Sequence, residues 1–87
     1  MSFDDTITMM QSDDYKERFK AEYYQTKIRY TKLKKFNSKI EASKITQGLV
    51  DMPKHDCPDD LLRKQQTIMG EYLQVLELRA AIEGIDL

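Results

Sequence analysis

Three polar residues spaced seven apart, Gln65, Tyr72 and Arg79, carry the strongest chemical signal in the sequence. Read as a helix, they run along the centre of an apolar stripe. One flank of that stripe is Leu61, Ile68, Val75 and Ile82. The other is Leu62, Met69 and Leu76, with Leu73 further round. A glutamine and an arginine so placed need partners, because an unpaired buried charge is costly. Two partners fit: an acid on a neighbouring helix, such as Glu22, or an anionic ligand. A second set is Tyr23 and Tyr30, at the edge of a stripe formed by Tyr15, Phe19, Thr26 and Leu33. Beside them run Lys16, Lys20, Lys27 and Lys34. Rings next to a lysine row can stack a base and hold a phosphate. The same residues also suit the rim of a core and a solvated face.

Catalytic raw material is scarce. The single histidine and single cysteine stand together as His55-Asp56-Cys57. A zinc site needs about four ligands, and neighbours this close in sequence give poor geometry for a Cys–His nucleophile pair. The glycines Gly48, Gly70 and Gly84 are isolated, so no glycine-rich phosphate loop is present. Gly70, inside a helical pattern, costs about 1 kcal/mol relative to alanine. It implies close approach of another helix or of a ligand. The expectation is a protein without catalytic residues, cofactor or metal.

The elements that must position these residues are helices. Ser12 suits an N-cap, and Asp13 and Asp14 fall in the first turn, where the helix dipole favours acids. Neither glycine nor proline interrupts residues 12–47. The first helix is predicted over about 13–37, with Asn37-Ser38 as its first weak point. A second short helix could then run to Gly48, a good C′ residue. Residues 38–57 read as a connection. Pro58 suits the first position of the next helix, with Cys57 or Asp56 at the cap and Asp59 and Asp60 in the first turn. That helix is predicted over about 58–83 and ends at Gly84. Residues 1–12 show no clear period and read as a short tail. The fold class is all-α, an antiparallel helical hairpin over residues 13–87.

Ala21, Tyr24 and Ile28 form a second, smaller apolar patch on the first helix. A helix with two apolar faces needs two neighbours, and a hairpin supplies one. With so little core available to a chain of 87 residues, the expectation is a homo-oligomer of closed symmetry.

The formal net charge is −1, but the charges are segregated. Residues 1–15 carry four acids and no base. Residues 16–35 sum to +6, and residues 51–87 to −4. Such asymmetry suits an anionic partner or simple helix–helix complementarity. The acidic flanks and a pI of about 5.8 argue against a nucleic-acid polymer. No run approaches the roughly 18 apolar residues of a membrane span. The N-terminus lacks the basic and apolar regions of a signal peptide, and a lone cysteine fits a reducing compartment.

The run Leu61, Leu62, Gln65, Met69, Tyr72, Leu76, Arg79 resembles the small phage proteins that sequester cyclic-nucleotide immune signals. These are the anti-CBASS sponge family and the anti-Thoeris sponge that shares its helical hairpin. Asp14-Tyr15-Lys16-Glu17-Arg18, Lys27-Ile28 and Lys32-Leu33-Lys34-Lys35-Phe36 are similar to that family's opening helix. The ending Ile82-Glu83-Gly84-Ile85 resembles small proteins of crAss-like and other gut phages. The connection at 37–56 is long for the anti-CBASS members, and the N-terminal tail has no counterpart. The β-rich portion of the anti-Thoeris members does not fit in this length.

The resemblance implies a non-enzymatic helical oligomer, hexameric in the anti-CBASS members, with ligand pockets between protomers. It would bind cyclic di- or trinucleotides, or a cyclic ADP-ribose isomer, without cleaving them, in the cytoplasm of an infected bacterial host. The positions that carry over are Gln65, Met69, Tyr72 and Arg79, with Arg79 as a phosphate clamp. Tyr72, or Tyr30 and Tyr23 across the hairpin, would stack a base, and Lys27 and Lys34 would add positive charge. The alternative is an interaction module that docks on a host or phage protein, for which the Ala21, Tyr24 and Ile28 patch is the support.

Overall fold

The computed structural model describes residues 1–87 and contains three helices: α1 (Phe3–Met10), α2 (Tyr15–Ile45) and α3 (Asp59–Glu83). Helices α2 and α3 form the hairpin, and α1 packs against α2.

The N-terminal residues are a helix rather than an irregular tail. A capping box starts it: the Ser2 hydroxyl accepts from the Asp5 backbone N–H, and the Asp5 carboxylate accepts from the Ser2 N–H. This reciprocal pair fixes two of the N–H groups that an eight-residue helix would otherwise leave open. Thr6 is fully buried, and Gln25 of α2 donates to its hydroxyl at 2.9 Å. Met1 lies beside Tyr24 and Ile28, and Ala21 on the same side of α2 is fully buried. Helix α1 therefore covers part of the second apolar face of α2, and Tyr24 and Ile28 stay half-buried beside an open hollow of about 430 Å³.

Helix α2 begins later than Ser12 and ends later than Asn37. Asp14 is the N-cap and accepts from the Lys16 N–H at 2.9 Å, while Ser12 accepts from the Asp14 N–H. Asn37 does not break the helix because its side chain is buried and bonded across the hairpin. Its amide donates to the Leu62 carbonyl at 3.2 Å and to Gln66 Oε1 at 2.9 Å. These two bonds tie α2 to α3 at this position, while the Asn37 Oδ1 beside them is buried without a partner. The helix stops at Thr46, whose hydroxyl accepts from the Val50 N–H, and Gln47 and Gly48 follow with positive φ. In the connection, His55 packs edge-on against Phe36, and Cys57 is exposed.

Helix α3 starts at Asp59, with Pro58 as the cap residue and no side-chain cap bond. Gly84 closes it at φ 71°, and the Ile85 N–H returns to the Ala80 carbonyl at 2.8 Å. This left-handed closure folds Ile85 back into the core.

The core is small: Phe19 and Tyr23 of α2 meet Leu73, Leu76, Ala80 and Ile85. Only one half of the broad stripe on α3 is used. Leu61, Ile68, Val75 and Ile82 remain between 50% and 84% exposed. The centre line is exposed too, so Gln65, Tyr72 and Arg79 are surface residues rather than buried ones. Leu76 is the largest apolar side chain that is fully enclosed. Leu76→Ala is expected to cost about 3 kcal/mol of unfolding free energy in a urea titration followed by circular dichroism. A loss below about 1 kcal/mol would mean that this seam does not hold the hairpin.

Candidate functional site

Two clefts flank the α2–α3 seam, one on each side. The first is a groove shared by all three helices. Its upper part, about 390 Å³, is lined by Met10, Arg18, Glu22, Gln25, Thr26, Arg29 and Tyr72. Its lower part, about 270 Å³, is lined by Thr26, Arg29, Leu33, Gln65, Met69 and Tyr72. Thr26, Arg29 and Tyr72 line both parts, so the two adjoin along the seam. It gathers Gln65, Met69 and Tyr72 of α3 against Arg18 and Arg29 of α2. Neither arginine has a carboxylate within ion-pair distance, while Arg18 donates to the Ser12 carbonyl at 2.9 Å.

Tyr72 is oriented by Glu22, whose carboxylate accepts its hydroxyl proton across the hairpin. That hydrogen bond, with burial and the charge of Glu22, pushes the Tyr72 phenol above its ordinary value, while the charge of Arg79 pulls the other way. Arg79 stands one heptad beyond Tyr72 on the same line of α3. The acid expected to hold it was Glu22, but its partners are Glu83 and Tyr15. Arg79 Nε donates to Glu83 Oε2 at 3.0 Å, and its terminal nitrogen donates to the Tyr15 oxygen at 2.6 Å. Tyr15 in turn donates to Glu83 at 3.1 Å. The guanidinium lies 5.1 Å from the centre of the Phe19 ring. Glu83 first, and then Tyr15, favour its charged form.

The second cleft, about 380 Å³, lies on the opposite side and holds Tyr23, Lys27, Tyr30, Gly70, Gln74 and Glu77. Gly70 is needed here because the Tyr30 ring lies against it. A Cβ at that position would sit 3.2 Å from Tyr30 Cε1. Tyr23 is buried and donates to Glu77 at 2.7 Å, and Lys27 Nζ lies 5.7 Å from the centre of the Tyr23 ring. Lys34 is exposed and lines neither cleft.

The eight residues singled out from the sequence thus divide. Gln65, Met69 and Tyr72 share the groove, Arg79 continues their line, Tyr23, Tyr30 and Lys27 share the opposite cleft, and Lys34 stands apart. The groove also holds four residues of α2 outside that set: Arg18, Gln25 and Arg29, and Glu22, which the sequence offers only as an ion-pair partner for Arg79. Their spacing of four, three and four puts them on one face of α2, and that periodicity was the available signal. The lysine row drew attention to the neighbouring face instead.

These features define a small helical hairpin that presents arginines, a tyrosine ring and a glutamine along one open groove. Residues 13–82 match the family described as Sequestin, and the chain belongs to that family. The membership accords with the resemblance to sequestering sponge proteins carried by the α3 residues. No curated protein and no solved structure matches the chain. No helix is long and apolar enough to cross a membrane.

Tyr23 offers a direct check on the second cleft. Burial, and then the hydrogen bond to Glu77, push its phenol up to about 12 from 10.0. The folded state therefore holds this proton more tightly than the unfolded state. The stability it contributes is intact below about pH 10 and is lost as the pH rises towards 12. The fall in melting temperature across that window is expected to be shallower in Tyr23→Phe than in the parent chain. Equal slopes would remove Tyr23 as a source of alkaline sensitivity.

Proposed function

We propose that this protein binds a cyclic nucleotide signal and holds it without cleaving it, as an anti-defence sponge in a phage-infected bacterium. The carrying observation is the pair of adjoining hollows in which Arg18 and Arg29, free of carboxylate partners, line one with Tyr72, and Arg29 lines the other with Tyr72 and Gln65. The family name denotes sequestration, which agrees with a binding role. Arginine matches phosphate bidentately, a tyrosine face stacks a base, and a glutamine amide offers both donor and acceptor to a base or ribose. Arg29 is the principal phosphate contact in this reading, and Arg79, one heptad beyond Tyr72 on α3, supplies a second. Tyr23, Tyr30 and Lys27 form a second candidate surface for the same ligand class, and Lys34 adds charge at the surface of α2.

Isothermal calorimetry against cyclic di- and trinucleotides and cyclic ADP-ribose isomers tests this reading. Binding of at least one is expected, with Arg29→Ala and Arg79→Ala each weakening it about tenfold, as loss of a charge-assisted bond implies. No binding by any member of the panel overturns the reading.

Self-association belongs to the same proposal, and its support is the exposed line Leu61, Ile68, Val75 and Ile82. Monomers seldom leave such a row open. A second copy of α3 laid antiparallel would cover it and bring Arg79 near the partner copy's acidic first turn, whereas a parallel copy would set arginine against arginine. The line Gln65, Tyr72, Arg79 lies between the exposed row and the buried stripe. A second copy would therefore wall the groove, and a closed ring of copies, such as a hexamer, could repeat this contact. Light scattering after size exclusion should give a mass above that of one chain, 10.3 kDa. Ile68→Asp should return it to monomer. A parent chain that is monomeric at all concentrations removes the self-association.

A further inference from the structure

We propose that Glu22 reads the base of the bound nucleotide and selects guanine. This rests on the cyclic-nucleotide reading of the groove.

Glu22 is the one acid in a groove otherwise lined by cationic and neutral side chains. It sits on the same face of α2 as Arg18, Gln25 and Arg29, yet makes no ion pair with either arginine. Its one bond is the hydroxyl of Tyr72, received at Oε1. A carboxylate offers about four lone-pair sites, so most of its accepting capacity is open. It is exposed to the groove rather than buried.

An acid in a site for an anion is costly if it faces the phosphates. It must therefore face a neutral part of the ligand that carries donors. Tyr72 determines which part. The residue is 41% exposed, and Glu22 holds its hydroxyl, so the ring is a platform whose polar end abuts the carboxylate. A base stacked on that ring lays its hydrogen-bonding edge beside Glu22, while its phosphates are left to Arg29.

The common bases differ sharply at that edge. Guanine presents two adjacent donors, N1–H and the N2 amino group, which match the two oxygens of a carboxylate. Adenine presents the N6 amino donor beside the N1 acceptor. Cytosine presents a donor beside the N3 acceptor. Uracil presents one donor between two carbonyls. Each of these three sets a lone pair against the carboxylate, and only guanine gives a bidentate match. A bidentate contact of this kind discriminates roughly ten- to a hundredfold.

The test is calorimetry of the full chain with cyclic diguanylate and cyclic diadenylate, for the parent protein, Glu22→Gln and Glu71→Gln. Circular dichroism verifies that each variant is folded, and Glu71 lines neither cleft. The parent should prefer the guanine ligand at least tenfold. Glu22→Gln, whose amide offers one donor and one acceptor, should lower that preference at least tenfold, and Glu71→Gln should leave it unchanged. A parent that binds both ligands alike, or prefers adenine, overturns the base assignment and leaves the sponge reading standing. A guanine preference that survives Glu22→Gln removes Glu22 as its source. Absence of binding by either ligand and by the wider panel overturns the sponge reading and this inference together.

Discussion

The packing of Leu73, Leu76 and Ala80 against Phe19 and Tyr23 is the contact on which the rest of the structure depends. It is narrow. Two helices touch along one line, so each can bury only part of its circumference. On α3 that line takes one flank of a stripe wide enough for two neighbours. The polar centre line of the stripe is thereby placed at the lip of the seam. Gln65, Tyr72 and Arg79 are then neither core residues nor fully solvated ones. Gln65 and Tyr72 form one wall of a groove whose other wall is α2, and Arg79 lies beyond it on the same line. A broader core would have buried this line and forced its charge into an internal ion pair.

The stripe on α3, its boundaries and its closure at Gly84 were legible because each is a local property: period, first-turn acids and a C′ glycine. The course of α2 past Asn37 was not. Asparagine is a weak helix former, and nothing near it in sequence compensates. The compensation comes from Leu62 and Gln66, across the hairpin. Helix α1 was missed for another reason. Its apolar residues Phe3, Ile7 and Met10 point to solvent, while the buried residue is Thr6. Apolar periodicity alone therefore misplaces its inner face. The local signal that did exist was Ser2 with Asp5, the reciprocal cap. Helix α1 covers part of the outer face of α2, where Ala21 is fully buried. The exposed row on α3 is longer and more regular.

The groove was half legible. Its α3 wall followed from three residues spaced by seven. Its α2 wall did not, because Arg18, Glu22, Gln25 and Arg29 make an ordinary polar face when read alone. Only the register of the hairpin shows that this face meets Tyr72, and register is a tertiary property. The same holds for Arg79. An apolar stripe implied an acid across the seam or an anionic ligand, whereas the acid is Glu83 on its own helix and the contact across the seam is the hydroxyl of Tyr15.

Carboxylates do more here than balance lysines. Glu22 holds Tyr72, Glu77 holds Tyr23, and Glu83 holds Arg79 together with Tyr15. In the two tyrosine cases the acid comes from the opposite helix, so the bond that orients the ring also fixes the hairpin's register. Binding a small ligand ordinarily requires side chains to surrender rotamer freedom, at about 0.5–1.5 kcal/mol each. Rings already pinned by acids surrender less. A near-neutral protein gains a second benefit from this arrangement. Glu22, bonded by Tyr72, is the one acid lining the groove, and Arg18 and Arg29 have no carboxylate partner there. Two arginines against one acid leave the groove net positive, which the chain-wide charge of −1 conceals. Such a field favours a compact ligand with a few phosphates over an extended polyanion, whose further charges would meet the acidic first turns of α1 and α3.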